Sequence, residues 1–432
     1  MLKFLKNKEA KNAGWLIGGR VAQMVISLFV GVFTARFLGP GNSGLVDYGS
    51  AYVAFFTSLC NLGINSVIIK EFVDHPDEEG ETIGTALLLR LISSILSVIV
   101  IIAIVAIVDY QETTTLVVVA LCSVSLIFHI METIRYWFQY RYLSKVTAIV
   151  TFAAYITAAA YKIILLVLQK DVRWFAFASS VDFIAVAVLL WIAYKKYNGP
   201  RLSFSMQKAR SLLGKSYHYI LSGIMVAVYG QTDKLMLKQM LSAEAVGYYG
   251  RATAVCAMWV FVLHAIIDAM YPTILRLYDT NKQAFEKKNK QLYAIVFYVA
   301  VFVSLGFTVF GKLVIQILYG EKFLPAVNPL RIVTWYTAFS YLGVARNAWL
   351  VCENKQKYLK YMYLFAAGGN VALNFALIPS LGASGAALAS LLTELMACLV
   401  LPLFIKEVRP NVVMMLQAFA LKGVFSKANK EN

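Results

Sequence analysis

The chain has 432 residues, 60% of them apolar and only 15% charged, with a mean hydropathy of +0.68 and a net charge of +17. Soluble domains carry about 25% charged residues, so this composition excludes a soluble enzyme or soluble nucleic-acid-binding protein and points to an integral membrane protein. The surplus of Lys and Arg reads as a topology signal with attraction to anionic lipid, and no nucleic-acid partner is implied.

A basic head of Lys3, Lys6, Lys8 and Lys11 precedes the first apolar run, 15–37. That run lacks the short core and small-residue cleavage site of a signal peptide, so it is expected to remain as a membrane helix. Further runs follow at 45–69, 83–108, 114–138, 147–169, 173–195, 214–239, 244–271, 291–318, 330–352, 358–379 and 383–406. Each is about 20 residues or longer, enough to cross a hydrocarbon core of about 30 Å, which predicts an all-α fold of about twelve transmembrane helices. With the N-terminus placed in the cytoplasm, about 26 basic residues fall in loops of that side and about 6 in loops of the other. The positive-inside rule therefore predicts both termini cytoplasmic. The acidic loop before the third run (Asp74, Asp77, Glu78, Glu79, Glu81) counts little in that rule. A basic linker, 195–215, divides the runs into six and six. The expected organisation is an N-terminal lobe at 1–200, a C-terminal lobe at 201–409 and a cytoplasmic tail at 410–432, apolar at 411–425 but too short to cross again.

Charge inside the apolar runs is the functional signal. A charged side chain at mid-membrane costs at least roughly 2.5–3.5 kcal/mol, so such residues face a bundle interior or a water-filled cavity, or snorkel to the interface. Asp233 and Lys234 lie near the end of the seventh run, and Tyr219, Ser222, Val226, Tyr229 and Asp233 share one helical face. Eight cations (Arg20, Arg90, Arg135, Lys162, Lys234, Arg251, Lys312, Arg346) fall within runs against six acids (Asp47, Glu132, Asp182, Asp233, Asp268, Glu394). Glu132 and Arg135, three residues apart, are expected to pair structurally. Arg20 with Gln23 and Ser27, Arg90 with Ser93, Ser94 and Ser97, and Lys162 with Tyr155 and Thr151 each place a cation on a polar stripe, which suits a cavity attracting an anion. His264 and Asp268, one turn apart, suit a proton relay or an internal hydrogen bond. Gly382, Ala386 and Ser390 have the spacing of close helix packing. The five cysteines lack metal or disulfide spacing and read as packing residues; no metal site is expected. No phosphate-binding loop, metal-binding His pair or nucleophile elbow is present, so neither an enzyme nor an ATP-driven pump is expected.

Four segments, TARFLGPGNSGLVDYGSAY, YGQTDKLMLKQMLSAEAVGYYGRATA, LYGEKFLPAVNPLRI and LGASGAALASLLTELMACLVLPLF, resemble in order stretches of bacterial polysaccharide-export proteins. These belong to the multidrug/oligosaccharidyl-lipid/polysaccharide (MOP, MATE-like) exporter superfamily, and the likeness is greatest to Wzx-type O-antigen flippases. The resemblance implies two six-helix lobes around a central cavity in a multi-pass protein of the bacterial inner membrane. It implies flipping of undecaprenyl-pyrophosphate-linked oligosaccharide repeat units, precursors of O-antigen or capsule, by alternating access. About twelve helices fits that subfamily better than the fourteen expected of lipid II flippases. No cofactor is implied, leaving a proton or sodium gradient as the energy source; expected partners are the lipid-linked glycan, membrane lipids, a polysaccharide polymerase and glycosyltransferases. By this resemblance Asp233 and Lys234 match the Asp-basic pair closing the seventh helix. Arg20, Arg90, Arg251 and Arg346, with Lys234, would line a cationic substrate cavity, with Asp233, Glu132 and Asp268 as coupling or structural acids. The alternative is a cation-coupled multidrug exporter of the same superfamily, centred on those acids. A membrane-embedded acyltransferase would need a catalytic histidine constellation that the chain lacks.

Overall fold

The computed structural model describes the backbone of residues 8–425 and the side chains of 23–220 and 223–425. Among the described residues there are helices and turns but no strands. In chain order they are α1 (Lys8–Cys60), α2 (Ile68–Asp74), α3 (Glu79–Val108), α4 (Thr113–Phe128), α5 (Glu132–Tyr140), α6 (Ser144–Val167), α7 (Val172–Lys196) and α8 (Met206–Met240). There follow α9 (Ala243–Thr280), α10 (Lys282–Tyr319), α11 (Val327–Cys352), α12 (Leu359–Leu381), α13 (Ala383–Leu395), α14 (Leu401–Phe404) and α15 (Arg409–Phe419). Nine described segments are long and apolar enough to cross a membrane. The first of them, in α1, is two helices joined at Gly39, whose φ of 71° breaks the ladder just before Pro40. Helices α8 and α11 fall short of that apolar standard because they carry polar residues; with them the membrane fold has the twelve segments expected. Large apolar side chains cover the outside, such as Phe302 at 79% and Ile107 at 77% exposed, as a lipid-facing surface requires.

The second segment ends earlier than its apolar run. The helix stops at Cys60, and the chain turns through Leu62 and Gly63, both at positive φ, into a short 3₁₀ turn and α2. Ile64 and Ile68 prolong the run because they are buried in the protein core with Phe72, Trp137, Phe138 and Leu212, not because they meet lipid. Similarly, a 3₁₀ turn at His129–Met131 separates α4 from α5, and a π-turn at Met396–Val400 follows α13.

The chain forms two compact units, Met1–Ala227 and Val228–Asn432, with the boundary inside α8. In the first unit the basic linker is strapped onto α3. Ser203 donates its N–H to the Gly80 carbonyl at 3.3 Å, and Ser205 donates its N–H to Thr85 Oγ1 at 3.1 Å. The close approach needs glycines: a Cβ on Gly84 would lie 2.3 Å from the Ser203 oxygen, and one on Gly80 2.1 Å from that of Arg201. Gly84→Ala is therefore expected to destabilise the purified protein by about 1–3 kcal/mol, the usual cost of overpacking. Gly214→Ala, where a Cβ meets nothing within 4 Å, should hold or raise the melting temperature measured in parallel.

Just beyond this strap, Glu71 is 2% exposed and accepts from Lys208 Nζ at 3.1 Å and Lys215 Nζ at 2.7 Å, while Lys208 also pairs with Glu78. Glu79 is clamped by Arg141 Nη2 at 2.8 Å and by Trp137 Nε1 at 2.7 Å.

In the second unit, α9 to α12 pack around a core that includes Leu263, Leu292, Ala345 and Met362. The apolar stretch after Pro410 folds onto α10 as α15. Asn411 Nδ2 donates to Tyr293 Oη at 2.7 Å, Tyr298 Oη donates to the Phe419 carbonyl at 2.7 Å, and Phe419 stacks on Phe297 at 4.1 Å.

Candidate functional site

Two helical hairpins of the second unit bring distant polar residues to one point. Helices α8 and α9 are joined by a turn at Leu241 and Ser242, where Ser242 Oγ caps α9 by accepting from the Ala245 N–H. Asp233 and Tyr249 each lie eight residues from Leu241, so in an antiparallel hairpin of equal rise they meet. Helices α12 and α13 are joined at Gly382, whose φ of 59° makes the turn while Gly385 lets the next helix start against the Leu377 carbonyl. Asn374 and Ser390 each lie eight residues from Gly382 and meet in the same way.

The four converge on the Asp233 carboxylate. Tyr249 Oη donates to Oδ2 at 2.5 Å, Ser390 Oγ also donates to Oδ2, and Asn374 Nδ2 donates to Oδ1 at 2.7 Å. Asn374 Nδ2 also donates to Asn370 Oδ1, at 3.0 Å. All five side chains are at most 7% exposed. Among the described residues no cation comes within ion-pair distance of Asp233, so its charge is held by hydrogen bonds alone. Asn374 Oδ1, on the same amide, is buried without a partner. One carboxylate among neutral oxygens, one of them unused, is a donor set for a hard cation of low charge.

A second polar group lies one turn along α13. Tyr229 Oη donates to Glu394 Oε2, and Tyr336 interacts with Tyr229 and Ser340. Arg346, 4% exposed and in electrostatic range of Glu394, donates from Nη1 to the Cys398 carbonyl at 3.1 Å; its Nε is buried without a partner.

The other expected site residues are dispersed. Arg90 is 1% exposed in the first unit and donates to Thr133 Oγ1 at 2.8 Å and to Asn61 Oδ1. Glu132 pairs with Arg135 at 3.4 Å and with His129 at 3.8 Å. In the second unit Arg251 is half-buried over the Tyr319 ring at 6.0 Å, and Lys234 is half-buried. Asp268 is exposed, and His264 packs edge-on against Tyr341 instead of bonding to it. The side chain of Arg20 lies outside the described residues. Tyr249, Asn370, Asn374 and Ser390 were not among the expected site residues. Asn370 and Asn374, two amides one turn apart in an apolar run, were the signal available; Ser390 reads as helix packing until its hydroxyl is seen on Asp233.

Solved structures similar to this chain are transporters. An inward-facing multidrug resistance MATE family transporter of the MOP superfamily superposes with a TM-score of 0.67 at 14% identity, covering 91% of this chain and 96% of that one. The lipid II flippase MurJ in an inward closed conformation gives 0.67 at 12% identity over 96% and 94%. A MOP superfamily transporter from Pyrococcus furiosus gives 0.55 at 10% identity over 93% and 94%. At these identities the likeness establishes the fold. No curated protein sequence matches the chain significantly. The model of the polysaccharide biosynthesis protein family matches residues 10–278, well over half of the chain, and the chain therefore belongs to that family.

Proposed function

We propose that the protein flips a lipid-linked oligosaccharide, an undecaprenyl-pyrophosphate-linked repeat unit of O-antigen or capsule type, across the bacterial plasma membrane, driven by a proton or sodium ion bound at Asp233. Membership of the polysaccharide biosynthesis family supports the class of substrate, and a polymerase and glycosyltransferases are its natural partners. The observation that carries the coupling is the Asp233 cluster: a buried carboxylate with three donors, no counter-charge among the described residues and an unused amide oxygen beside it. A cation entering there replaces donated hydrogens with its own charge, held by Asp233, Asn374 Oδ1 and Ser390 Oγ. It drives transport only to the extent that it binds one conformation more tightly than another. We assign the diphosphate contacts to Lys234 and Arg251 of the second unit, since Arg90 and Arg346 are at most 4% exposed and held by protein groups.

The test is reconstitution in vesicles with a fluorescent undecaprenyl diphosphate oligosaccharide. Movement is expected without nucleotide and should rise with an imposed sodium or proton gradient. A strict ATP requirement overturns the mechanism. Transport of cationic dyes with no movement of the lipid would replace this reading with that of a multidrug exporter.

A further inference from the structure

A second polar site lies wholly within the first unit. Between α1, α6 and α7 there is a cavity of about 190 Å³ lined by Ser27, Gly31, Tyr155, Lys162, Ser179 and Asp182, among others. Tyr155 is near the middle of α6, and Asp182 is ten residues into α7, so the cavity lies at membrane depth. Asp182 is half-buried and forms no hydrogen bond or ion pair with any described residue; Lys162 acts on it only at longer range. A carboxylate left this way in a hydrocarbon setting is costly and is retained where it meets water or a polar ligand.

We propose that this cavity receives one sugar residue of the lipid-linked glycan, an inference that rests on the flippase reading above. Charge selects among ligands. Lys162 and Asp182 leave the cavity without net charge, which disfavours both a diphosphate and a cationic drug and suits a neutral polyhydroxylated ring. Chemistry agrees. Asp182 only accepts hydrogen bonds, Lys162 only donates, and the hydroxyls of Ser27, Ser179 and Tyr155 do both, which matches the mixed donors and acceptors around a sugar ring. Phe183 and Tyr155 add apolar faces. Size agrees too, since a cavity of about 150 Å³ accepts a six-membered benzene ring, so 190 Å³ has room for one bulkier ring and not for an oligosaccharide. Gly31 keeps the wall open: a Cβ built on it meets nothing within 4 Å.

The experiment compares two lipids in the same vesicles, undecaprenyl diphosphate bearing its oligosaccharide, extracted from the membranes of the source cell, and bare undecaprenyl diphosphate. Asp182→Asn removes the carboxylate, and Gly31→Leu fills the cavity while leaving every polar group in place. Both are expected to slow the glycan-bearing lipid about 10-fold or more, Asp182→Asn by the loss of one hydrogen bond of about 1.5 kcal/mol to a charged group and Gly31→Leu by filling the space, and to leave the bare lipid unchanged. If both lipids slow together, or neither slows, while the variants insert at wild-type levels, the sugar site is wrong. If wild-type protein moves neither lipid, the flippase reading itself fails and takes this inference with it.

Discussion

Asp233→Asn is expected to abolish ion-driven transport and to leave the protein folded. The substitution keeps the shape and an acceptor for Tyr249 or Asn374, but it removes the single negative charge on which four helices converge. Loss of the carboxylate's charge-assisted contact to the cation, about 1.5–3 kcal/mol, corresponds to a loss of about 10- to 150-fold in cation affinity. Ser390→Ala, which deletes one neutral ligand, should cost less, and Asn374→Leu should behave more like Asp233→Asn because it removes both a donor and the unused oxygen. The measurements are the sodium- and pH-dependent shift in melting temperature and the gradient-driven flux in vesicles. Retention of the full cation-dependent stabilisation by Asp233→Asn would remove the coupling role from this cluster.

Glu71→Gln is expected to be the most destabilising conservative change in the first unit. It leaves Lys208 buried with only Glu78 as a counter-charge. Breaking a buried pair costs about 3–5 kcal/mol, and the lower end applies because Glu78 remains. Lys215, about half exposed, adds little to this, about 0–1 kcal/mol. The effect has a definite pH dependence. Burial pushes the Glu71 carboxyl up, but the hydrogen bonds and charges of Lys215 and Lys208 outweigh it and hold the group below the usual carboxylate range. Its contribution is complete above the unfolded value of about 4.3 and is lost as pH falls through the folded value. For Lys208, burial pushes the ammonium down, but Glu78 and Glu71 outweigh it and hold it above the usual lysine value. That contribution is complete below about 10.4 and is lost as pH rises through the folded value. Wild-type melting temperature should therefore be level between these limits and fall faster than that of Glu71→Gln below about pH 4. Equal acid sensitivity of the two proteins would show that the network stores no such energy. Glu71→Leu combined with Lys208→Met should recover most of the loss, since apolar replacement of a whole buried pair is often neutral or stabilising.

By itself the sequence determined that the chain is an all-helical membrane protein and where most of its spans lie. Crossing about 30 Å of hydrocarbon is a requirement on each segment separately, and length with hydropathy records it locally. It also singled out Asp233, because a carboxylate in an apolar run is conspicuous without knowing its neighbours. Only the tertiary structure decided what Asp233 meets. Tyr249, Asn374 and Ser390 become its partners through the positions of two hairpin turns, at Leu241 and Gly382, and no local pattern records which helix packs against which. The same limit applies to the arginines. Arg90 and Arg346 read as lining a cavity, yet they are buried against Thr133 and the Cys398 carbonyl, because a polar stripe on a helix does not say whether it faces water or another helix. It applies to Ile64 and Ile68 as well, which prolong an apolar run past the end of its helix. In a membrane protein apolar side chains face both lipid and core, so hydropathy marks what is buried from water and leaves packing to determine what it is buried against.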